Sequence, residues 1–367
     1  MKTTYYNITY ILLLLPCIIL GSTTNKMEGR FTEEKSLNKE VSVNHDAILK
    51  INNEYGNLDI TAWDEDTVKI EVHIKVNGND EERVQEKLKS VDVLFETSPE
   101  MVNAKTIFDD SLKSWWGKLS DVWNKGNLKV EINYEIKIPV TNSVHLTNDY
   151  GSITLDKIEG DTKINCDYGQ LIIGQLLGDE NIIKINYTNN SSIKYMKTGK
   201  IYADYSNFIV EKADEIELKA DYTHSKIEYA NQLNYNCDYG ALQTGNIGAF
   251  IGDGNYLDID ANVINKMLVI NSDYGSIDVK ALKSTTKEVA VKTDYTGVRI
   301  GYDADFNFDF KIKTSYGSIK VDSDDLIIMK KNQEHTSKFY QGYRGEQNTG
   351  NSINISTSYG GVKLNKN

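Results

Sequence analysis

Residues Asn148–Leu155 read NDYGSITL, a tight turn leading into a strand, and this phrase returns many times along the chain. Later copies read NCDYGQLII, NCDYGALQT, NSDYGSIDV, KTDYTGVRI, KTSYGSIKV and STSYGGVKL. Aligned on their tyrosine, eleven copies share one phase: Tyr150, Tyr168, Tyr187, Tyr205, Tyr222, Tyr239, Tyr256, Tyr274, Tyr295, Tyr316 and Tyr359. Successive tyrosines are 17–21 residues apart, except that the last gap is 43 residues. A fixed period of this length is the signature of a repeat architecture.

Two irregular features accompany this array. An isolated earlier copy, NNEYGNLDI, surrounds Tyr55 in the N-terminal part of the chain. The long final gap spans about two periods and contains the polar stretch 330–351, which we interpret as a long loop or a degenerate repeat.

Apolar residues alternate with polar ones on both sides of the tyrosine, as Leu146, Ile153 and Leu155 do in the first copy. A period of two predicts short strands with one buried face. Together with the glycine turns, it predicts an all-β fold, a parallel β-solenoid (single-stranded, β-helix-like) over residues 141–367. Equivalent residues of stacked coils would form columns about 4.8 Å apart. An antiparallel sandwich of hairpins is the alternative, but it does not require one side chain at one phase in every unit.

The repeated tyrosine is interpreted first as folding chemistry. It shares parity with the apolar positions before it, so its ring is expected to lean inward or to cap a corner. Rings stacked in successive coils would form a structural ladder, in which each pair contributes about 0.5–1.5 kcal/mol beyond burial. The aspartate before the tyrosine is expected to close an Asx-turn, and the glycine after it to supply a positive φ.

The outward aspartates form a predicted column: Asp149, Asp167, Asp204, Asp221, Asp238, Asp273 and Asp294. Carboxylates about 5 Å apart could bridge a calcium ion or act in catalysis, as carboxylate clusters do in solenoid enzymes. The dense glycine–aspartate repeat of calcium-binding solenoids is absent from the sequence, so turn capping is favoured. Lysines two residues earlier are expected to pair diagonally with the column: Lys184, Lys219, Lys292 and Lys313.

Residues 40–140 form a second, strand-rich part with two predicted helices. One lies near 80–91 (DEERVQEKLKSV) and the other near 110–124, where Trp115, Trp116 and Trp123 share one face. That tryptophan stripe either packs against the end of the solenoid or is a partner surface.

The N-terminus has the layout of a secretory signal peptide over residues 1–22, with one lysine, a short apolar run and a small-residue end. No second apolar run is long enough to span a bilayer, so we expect no transmembrane anchor after cleavage. The predicted location is therefore the periplasm, the outer membrane surface or the extracellular space. A net charge of −12 argues against nucleic acid as a partner.

Two cysteines remain after this leader, Cys166 and Cys237, and an even count in an exported chain favours a disulfide. Both occupy the small position two residues before a repeat tyrosine, four repeats apart. Four coils correspond to roughly 19 Å, while a disulfide needs Cα atoms within about 7 Å. The repeat therefore predicts two separate thiols.

Motifs of catalysis are missing from the sequence. It contains no P-loop, no G-x-S-x-G, no H-E-x-x-H and no Cys-x-x-Cys, and its five histidines are scattered. We therefore predict no catalytic, cofactor-binding or metal-binding residues, and a protein that is not an enzyme.

The early LKINNEYGNLDI, the segment NYEIKIPVTNSVHLTNDYGSITL and the serial DYG turns resemble the "putative adhesin" solenoid family of bacterial envelopes, over residues 40–367. The resemblance implies a non-enzymatic β-solenoid of the cell envelope, acting as an adhesin or structural module with an envelope glycan or protein as partner. Two alternatives stay open. One is a carbohydrate-binding or carbohydrate-cleaving solenoid, and the other is a periplasmic sensor or signalling partner that docks through the tryptophan helix.

Overall fold

The computed structural model describes residues 29–109, 128–321, 324 and 326–367. The predicted leader and the predicted helix 110–124, with its three tryptophans, lie outside these residues. Within them the chain forms one helix and 24 strands of a single hydrogen-bonded sheet, so the all-β class is confirmed. None of the described helical residues forms a helix long and apolar enough to cross a membrane.

The helix α1 spans Glu81–Ser90. The strands, in chain order, are β1 (Phe31–Ser42), β2 (Ile48–Glu54), β3 (Leu58–Trp63), β4 (Thr67–Gly78), β5 (Val91–Ser98), β6 (Met101–Phe108), β7 (Lys129–Pro139), β8 (Ser143–Asp149), β9 (Ile153–Ile158), β10 (Thr162–Asp167), β11 (Leu171–Leu176), β12 (Asn181–Asn186), β13 (Ser191–Asp204), β14 (Asn207–Asp221), β15 (His224–Asp273), β16 (Ser276–Leu282), β17 (Glu288–Asp294), β18 (Gly297–Tyr302), β19 (Phe308–Ser315), β20 (Ile319–Val321), β21 (Leu326–Gln333), β22 (Ser337–Arg344), β23 (Ser352–Ser358) and β24 (Val362–Lys366).

Equivalent strands of successive repeats pair in parallel and in register. The strand before the tyrosine pairs with its counterpart one repeat on, so that β8, β10 and β12 are neighbours, and Leu146, Ile164 and Ile183 lie in one row. The strand after the tyrosine does the same in β9, β11 and β13. Alternate residues of each strand are buried, and these inward rows of Leu, Ile and Val form one continuous core. The alternation read from the sequence therefore describes which side chains face inward.

The N-terminal part continues the same sheet. β2 pairs in parallel with β8, and β3 pairs in parallel with β9. The one described helix starts at its N-cap Asp80, whose carboxylate accepts a hydrogen bond from the Arg83 backbone N–H. Its buried Val84 packs the helix against this end of the sheet, where the sequence predicted a short amphipathic helix.

The last repeat does not follow the repeat before it in space. β23 lies between β17 and β19, and β24 lies between β18 and β20. The polar stretch interpreted as a loop or degenerate repeat contains most of a hairpin, β21–β22, which pairs with β19 in antiparallel orientation. The long gap in the tyrosine spacing is thus filled by a hairpin that extends the sheet beyond β19.

Both ends of the sheet depart from the uniform parallel order that was predicted. The pairs β1–β4, β4–β7 and β5–β6 are antiparallel at one end, as are β19–β22 and β21–β22 at the other. Two strands that pair in parallel must be joined by a long crossover connection. Two strands that pair in antiparallel orientation can be joined directly by a hairpin turn. Hairpins are therefore the short route by which the chain extends the sheet at each end.

The two cysteines lie in one inward row, as the repeat predicts. The row runs Cys166, Ile185, Ala203, Ala220, Cys237, so four strand-to-strand steps separate the two residues. Both thiols are free and buried. Burial raises the pKa of each to about 12, which keeps them protonated and poorly reactive at neutral pH.

Candidate functional site

Twelve tyrosine rings stack in one continuous row, which we call the tyrosine ladder. Neighbouring ring centroids are 4.7–5.5 Å apart and the planes differ by 1–9°. The stacking order is Tyr55, Tyr150, Tyr168, Tyr187, Tyr205, Tyr222, Tyr239, Tyr256, Tyr274, Tyr295, Tyr359, Tyr316. The structure thus brings the eleven repeat tyrosines together and adds Tyr55, which sequence reasoning set apart although NNEYGNLDI carries the same phrase.

The ladder rings face solvent, so the expectation that they lean inward is wrong. The eleven repeat tyrosines are 46–63% exposed. Every ladder tyrosine has a φ between 50° and 64°, the left-handed region that bulky side chains seldom adopt. A left-handed residue interrupts the pleat, so the parity argument does not carry through it. The tyrosines instead cap a corner of each repeat, which was the other expectation. Tyr239 and Tyr256 do so inside the long strand β15.

The glycine after the tyrosine serves a purpose different from the one predicted, because the positive φ belongs to the tyrosine itself. A Cβ at Gly151 would lie 1.7 Å from the carbonyl oxygen of Gly56, and one at Gly169 would lie 1.9 Å from that of Gly151. These glycines are needed because neighbouring backbones approach closely. In other repeats a hydroxyl residue follows the tyrosine, and the buried Thr223 hydroxyl donates to the Asp221 carbonyl at 2.9 Å.

The turns of successive repeats are linked by hydrogen bonds. The backbone N–H of Tyr150 donates to the Asp167 carbonyl at 2.9 Å, and the same bond recurs along the ladder. Aspartate carboxylates also reach the next repeat. Asp238 accepts from the Asn255 backbone N–H at 2.7 Å, and Asp273 accepts from that of Asp294 at 2.8 Å. In these turns the carboxylate joins two repeats, in place of the expected Asx-turn within one.

Neighbouring carboxyl groups of the aspartate column influence one another at Asp149. Burial, and then the neighbouring Asp167, raise the pKa of Asp149. The ion pairs found within the described part of the chain do not join the lysines two residues earlier to the column, contrary to the predicted diagonal pairing. Lys184, for example, lies over the ring of Tyr202 at 5.9 Å.

A trio with metal-ligand chemistry lies away from the ladder. Glu71, His73 and Glu135 bring ligand atoms within 4.8 Å of one another on the exposed surface of β4 and β7. His73 shares a hydrogen bond of 3.0 Å with the Ser36 hydroxyl. The aspartate column contributes no member to this trio, so the calcium interpretation of the column gains no support from it.

A shallow trough crosses the outer face of the strands that precede the tyrosines in the C-terminal repeats. Its volume is about 510 Å³. Ile251, Val269 and Ala290 form an apolar strip, and the edges carry Lys292, Lys311, Lys313, Asp253, Asn271, Asn354 and Ser356, with Phe339 of the hairpin at one end. Lys292 and Lys313 lie in one row, and Ser356 of the inserted β23 lies between them.

No protein-family model matches the chain, and no curated protein matches it. Among solved structures, the chain is similar to that of a "putative cell adhesion protein" from Clostridium sporogenes, at 12% identity over 91% of this chain and 100% of the other, with a TM-score of 0.17. It is also similar to a "putative adhesin" from Parabacteroides merdae, at 11% identity over 90% and 96%, with a TM-score of 0.31. A "putative lipid binding protein" from Parabacteroides distasonis is similar at 10% identity over 90% and 96%, with a TM-score of 0.28.

Proposed function

We propose that this protein is an exported, non-enzymatic binding module of the cell envelope, whose repeats wind as a β-solenoid and which adheres through its tyrosine ladder. The single observation that carries the proposal is the row of twelve stacked, left-handed tyrosines, of which the eleven in the repeats are about half exposed. A left-handed conformation costs a residue other than glycine about 1–3 kcal/mol, and such residues cluster at functional sites. Stacking can offset that cost, but rings buried in the core could stack equally well. The exposure of the rings is therefore the part of the observation that points to binding.

The stacking geometry decides which part of each ring a partner can touch. Neighbouring rings are nearly parallel and about 5 Å apart, so the faces of the inner rings are covered by their neighbours. The ring edges and the phenol hydroxyls remain available, and a hydroxyl both donates and accepts hydrogen bonds. A straight row of such groups suits an extended partner with a repeating surface. Many weak, equivalent contacts then add up through multivalency.

The winding as a solenoid is supported by the parallel pairing of equivalent strands. From β8 to β14 each strand that precedes a tyrosine pairs with its counterpart in the next repeat, residue for residue. A chain that winds in one direction with a step of about 4.8 Å would return to the same register after each repeat, and the pairing from β8 to β14 agrees with such winding. Export is supported by the signal-peptide layout of residues 1–22 and by the family resemblance.

The test compares binding by ladder variants that keep the stack. Tyr205→Phe, Tyr222→Phe and Tyr239→Phe, combined in one chain, remove three hydroxyls and retain the rings. On a glycan array and on isolated envelope fractions we expect clearly weaker binding than by the unaltered protein, with unchanged thermal unfolding. The matched control is Tyr202→Phe with Tyr229→Phe, which alters tyrosines that are 36% exposed and lie outside the ladder. If both variants lost binding equally, or if neither lost binding, the hydroxyls of the ladder would not be the contact surface.

The trough favours a second candidate function, the binding of an acidic carbohydrate. Three lysines surround an apolar strip that can receive the face of a sugar ring, with neutral hydrogen-bonding groups beside it. Its lining contains one carboxylate, Asp253, whereas hydrolysis of glycosides generally uses a pair. Binding therefore fits this lining better than cleavage.

The experiment for this candidate measures the affinity for an acidic oligosaccharide and for its neutral counterpart. In the variant Lys292→Gln with Lys313→Gln we expect the preference for the acidic form to disappear. Lys219→Gln is the control, since Lys219 holds the equivalent position in a repeat outside the trough. An acidic preference that survives in the double variant would contradict this role of the trough.

A further inference from the structure

The strands that precede the tyrosines form one part of the sheet. At each of its two ends lies an edge strand, which has one hydrogen-bonded neighbour among the described residues. The strand order of this part begins β5–β6–β2–β8 and finishes β17–β23–β19–β22–β21. Among the described residues, β5 pairs only with β6, and β21 pairs only with β22. The outer backbone N–H and C=O groups of an edge strand are a template for pairing with another strand.

The edge strand β21 is exposed on both faces. Seven of its eight residues are exposed, among them Ile327 at 48%, Ile328 at 37% and Met329 at 52%. Natural edge strands are usually kept short, charged, bulged or covered. The first half of β21 is apolar, with a local irregularity at Met329 and two lysines after it. The irregularity and the lysines are protective devices of this kind, so the apolar first half of β21 is the part of the edge that is left unprotected.

The opposite edge, β5, has the complementary character. Leu94 is 47% exposed and points outward between Asp92 and Glu96, which are also exposed. Val93 and Phe95 point to the inner side, where they meet the core. One edge therefore combines apolar groups with lysines. The other combines apolar groups with carboxylates, and Lys35 of β1 lies beside it, where its ammonium group donates to the Val91 carbonyl.

The strand directions allow the two edges to meet when copies are stacked end to end. β6 runs parallel to β2, and β5 runs antiparallel to β6. At the other side β22 is antiparallel to β19 and β21 is antiparallel to β22, so β21 runs with the repeat strands. When one copy is displaced along the stacking direction without being inverted, its β5 is antiparallel to β21 of the copy it meets. Antiparallel pairing needs no crossover.

We propose that the occupant of the β21 edge is β5 of a second copy of this chain, so that copies join head to tail. In the register that matches the outward positions, Ile327 faces Leu94 and Lys330 faces Asp92. Ile328 then faces Val93 on the inner side, and Met329 takes up the irregularity. A heterologous contact of this kind leaves a free edge at each end and generates open chains. This inference goes beyond the proposed function, because it depends on neither the tyrosine ladder nor the trough.

A symmetric alternative pairs β21 with β21 of another copy. That arrangement places Lys330 and Lys331 of both copies at one interface, where like charges weaken association. The head-to-tail contact places lysine against aspartate. Charge complementarity therefore favours two different edges over two identical ones.

The test uses the full chain without its leader in sedimentation velocity at several concentrations, with negative-stain electron microscopy. We expect end-to-end assemblies that lengthen with concentration. Lys330→Glu and Asp92→Lys, each alone, should weaken association by about tenfold or more, because each places like charges at the contact. Lys219→Glu makes the same positive-to-negative change on β14, a middle strand of this sheet, and should leave association unchanged.

Mixing the two variants gives the decisive result. A copy with Lys330→Glu and a copy with Asp92→Lys present opposite charges at both of their mutual contacts, so an equal mixture should regain the assemblies that each lacks alone. A protein that stays monomeric at every concentration would overturn the proposal. Assemblies unaffected by either variant would do so too, as would variants whose mixture does not recover association.

Discussion

At the scale of the residue, the left-handed tyrosine is the unusual choice. Asparagine or glycine would adopt a φ near 55° with less strain, but neither presents a large flat ring. Tyr222 has a φ of 53° and stacks on Tyr205 at 4.9 Å and on Tyr239 at 4.8 Å. The two stacking contacts are each worth about 0.5–1.5 kcal/mol, comparable with the conformational strain. The residue type therefore follows from the row, since an isolated turn would gain nothing from the ring.

Shortening one ring should separate stacking from the hydroxyl group. We expect Tyr222→Ala to lower the free energy of unfolding by about 1–3 kcal/mol, because it removes two stacking contacts and keeps the left-handed strain. Tyr222→Phe should change it by less than about 0.5 kcal/mol, because the ring remains. Urea denaturation measures both values. Equal effects of the two substitutions would show that stacking does not hold the corner.

The glycines beside the ladder differ in their surroundings, which gives a matched pair for mutation. Gly169→Ala should lower the free energy of unfolding by about 1–3 kcal/mol, since its Cβ would lie 1.9 Å from the Gly151 carbonyl oxygen and the backbones would have to separate. Gly297→Ala should be close to neutral, because nothing lies within 4 Å of its Cβ position. Thermal unfolding of the two variants compares them directly. A Gly169→Ala protein as stable as the Gly297→Ala protein would contradict the close approach.

At the scale of the element, the alternation of apolar residues was enough to predict the strands and their buried faces. Leu146, Ile164 and Ile183 lie inward in one row, as their common phase requires. The direction of the tyrosine could not be predicted, because parity holds only for a continuous pleat and the ladder residues interrupt it. Tyr55 was set apart because its distance to Tyr150 conceals that β2 and β8 are neighbours.

The ladder should make stability sensitive to alkaline pH. Burial, followed by the charges of neighbouring tyrosines, raises the pKa of Tyr222 and of Tyr274 above the usual value of about 10. A raised pKa means that folding favours the protonated phenol. This contribution is fully present below the unfolded pKa and is lost as the pH rises through the folded pKa.

We therefore expect a free energy of unfolding that is insensitive to these phenols up to about pH 9 and falls above about pH 10. Denaturant titrations at several pH values measure it, with tyrosinate absorbance recorded in parallel. The variant Tyr222→Phe with Tyr274→Phe should show a smaller fall, because it has lost two of the titrating groups. A fall of the same size in this variant would assign the alkaline effect to other residues.

At the scale of the whole molecule, the position of the last repeat is the feature that no periodicity reveals. β23 lies between β17 and β19, and β24 lies between β18 and β20, although all four of these flanking strands come earlier in the sequence. Tyr359 correspondingly stacks between Tyr295 and Tyr316. A spacing pattern records the order of the repeats along the chain, and that order differs here from their order in the sheet. The trough depends on this insertion, because Ser356 and Asn354 complete its lining.

Disulfide trapping tests the in-register stack and its inserted last repeat most directly. In a chain whose three native cysteines are replaced, paired cysteines are introduced at exposed positions 292, 356 and 313 of one row. Neighbouring strands are about 4.8 Å apart, within disulfide reach, while alternate strands are about 10 Å apart, outside it. We predict rapid bridges for Lys292→Cys with Ser356→Cys and for Ser356→Cys with Lys313→Cys, and none for Lys292→Cys with Lys313→Cys. A bridge between positions 292 and 313, with none to 356, would show repeats stacked in sequence order and contradict this account.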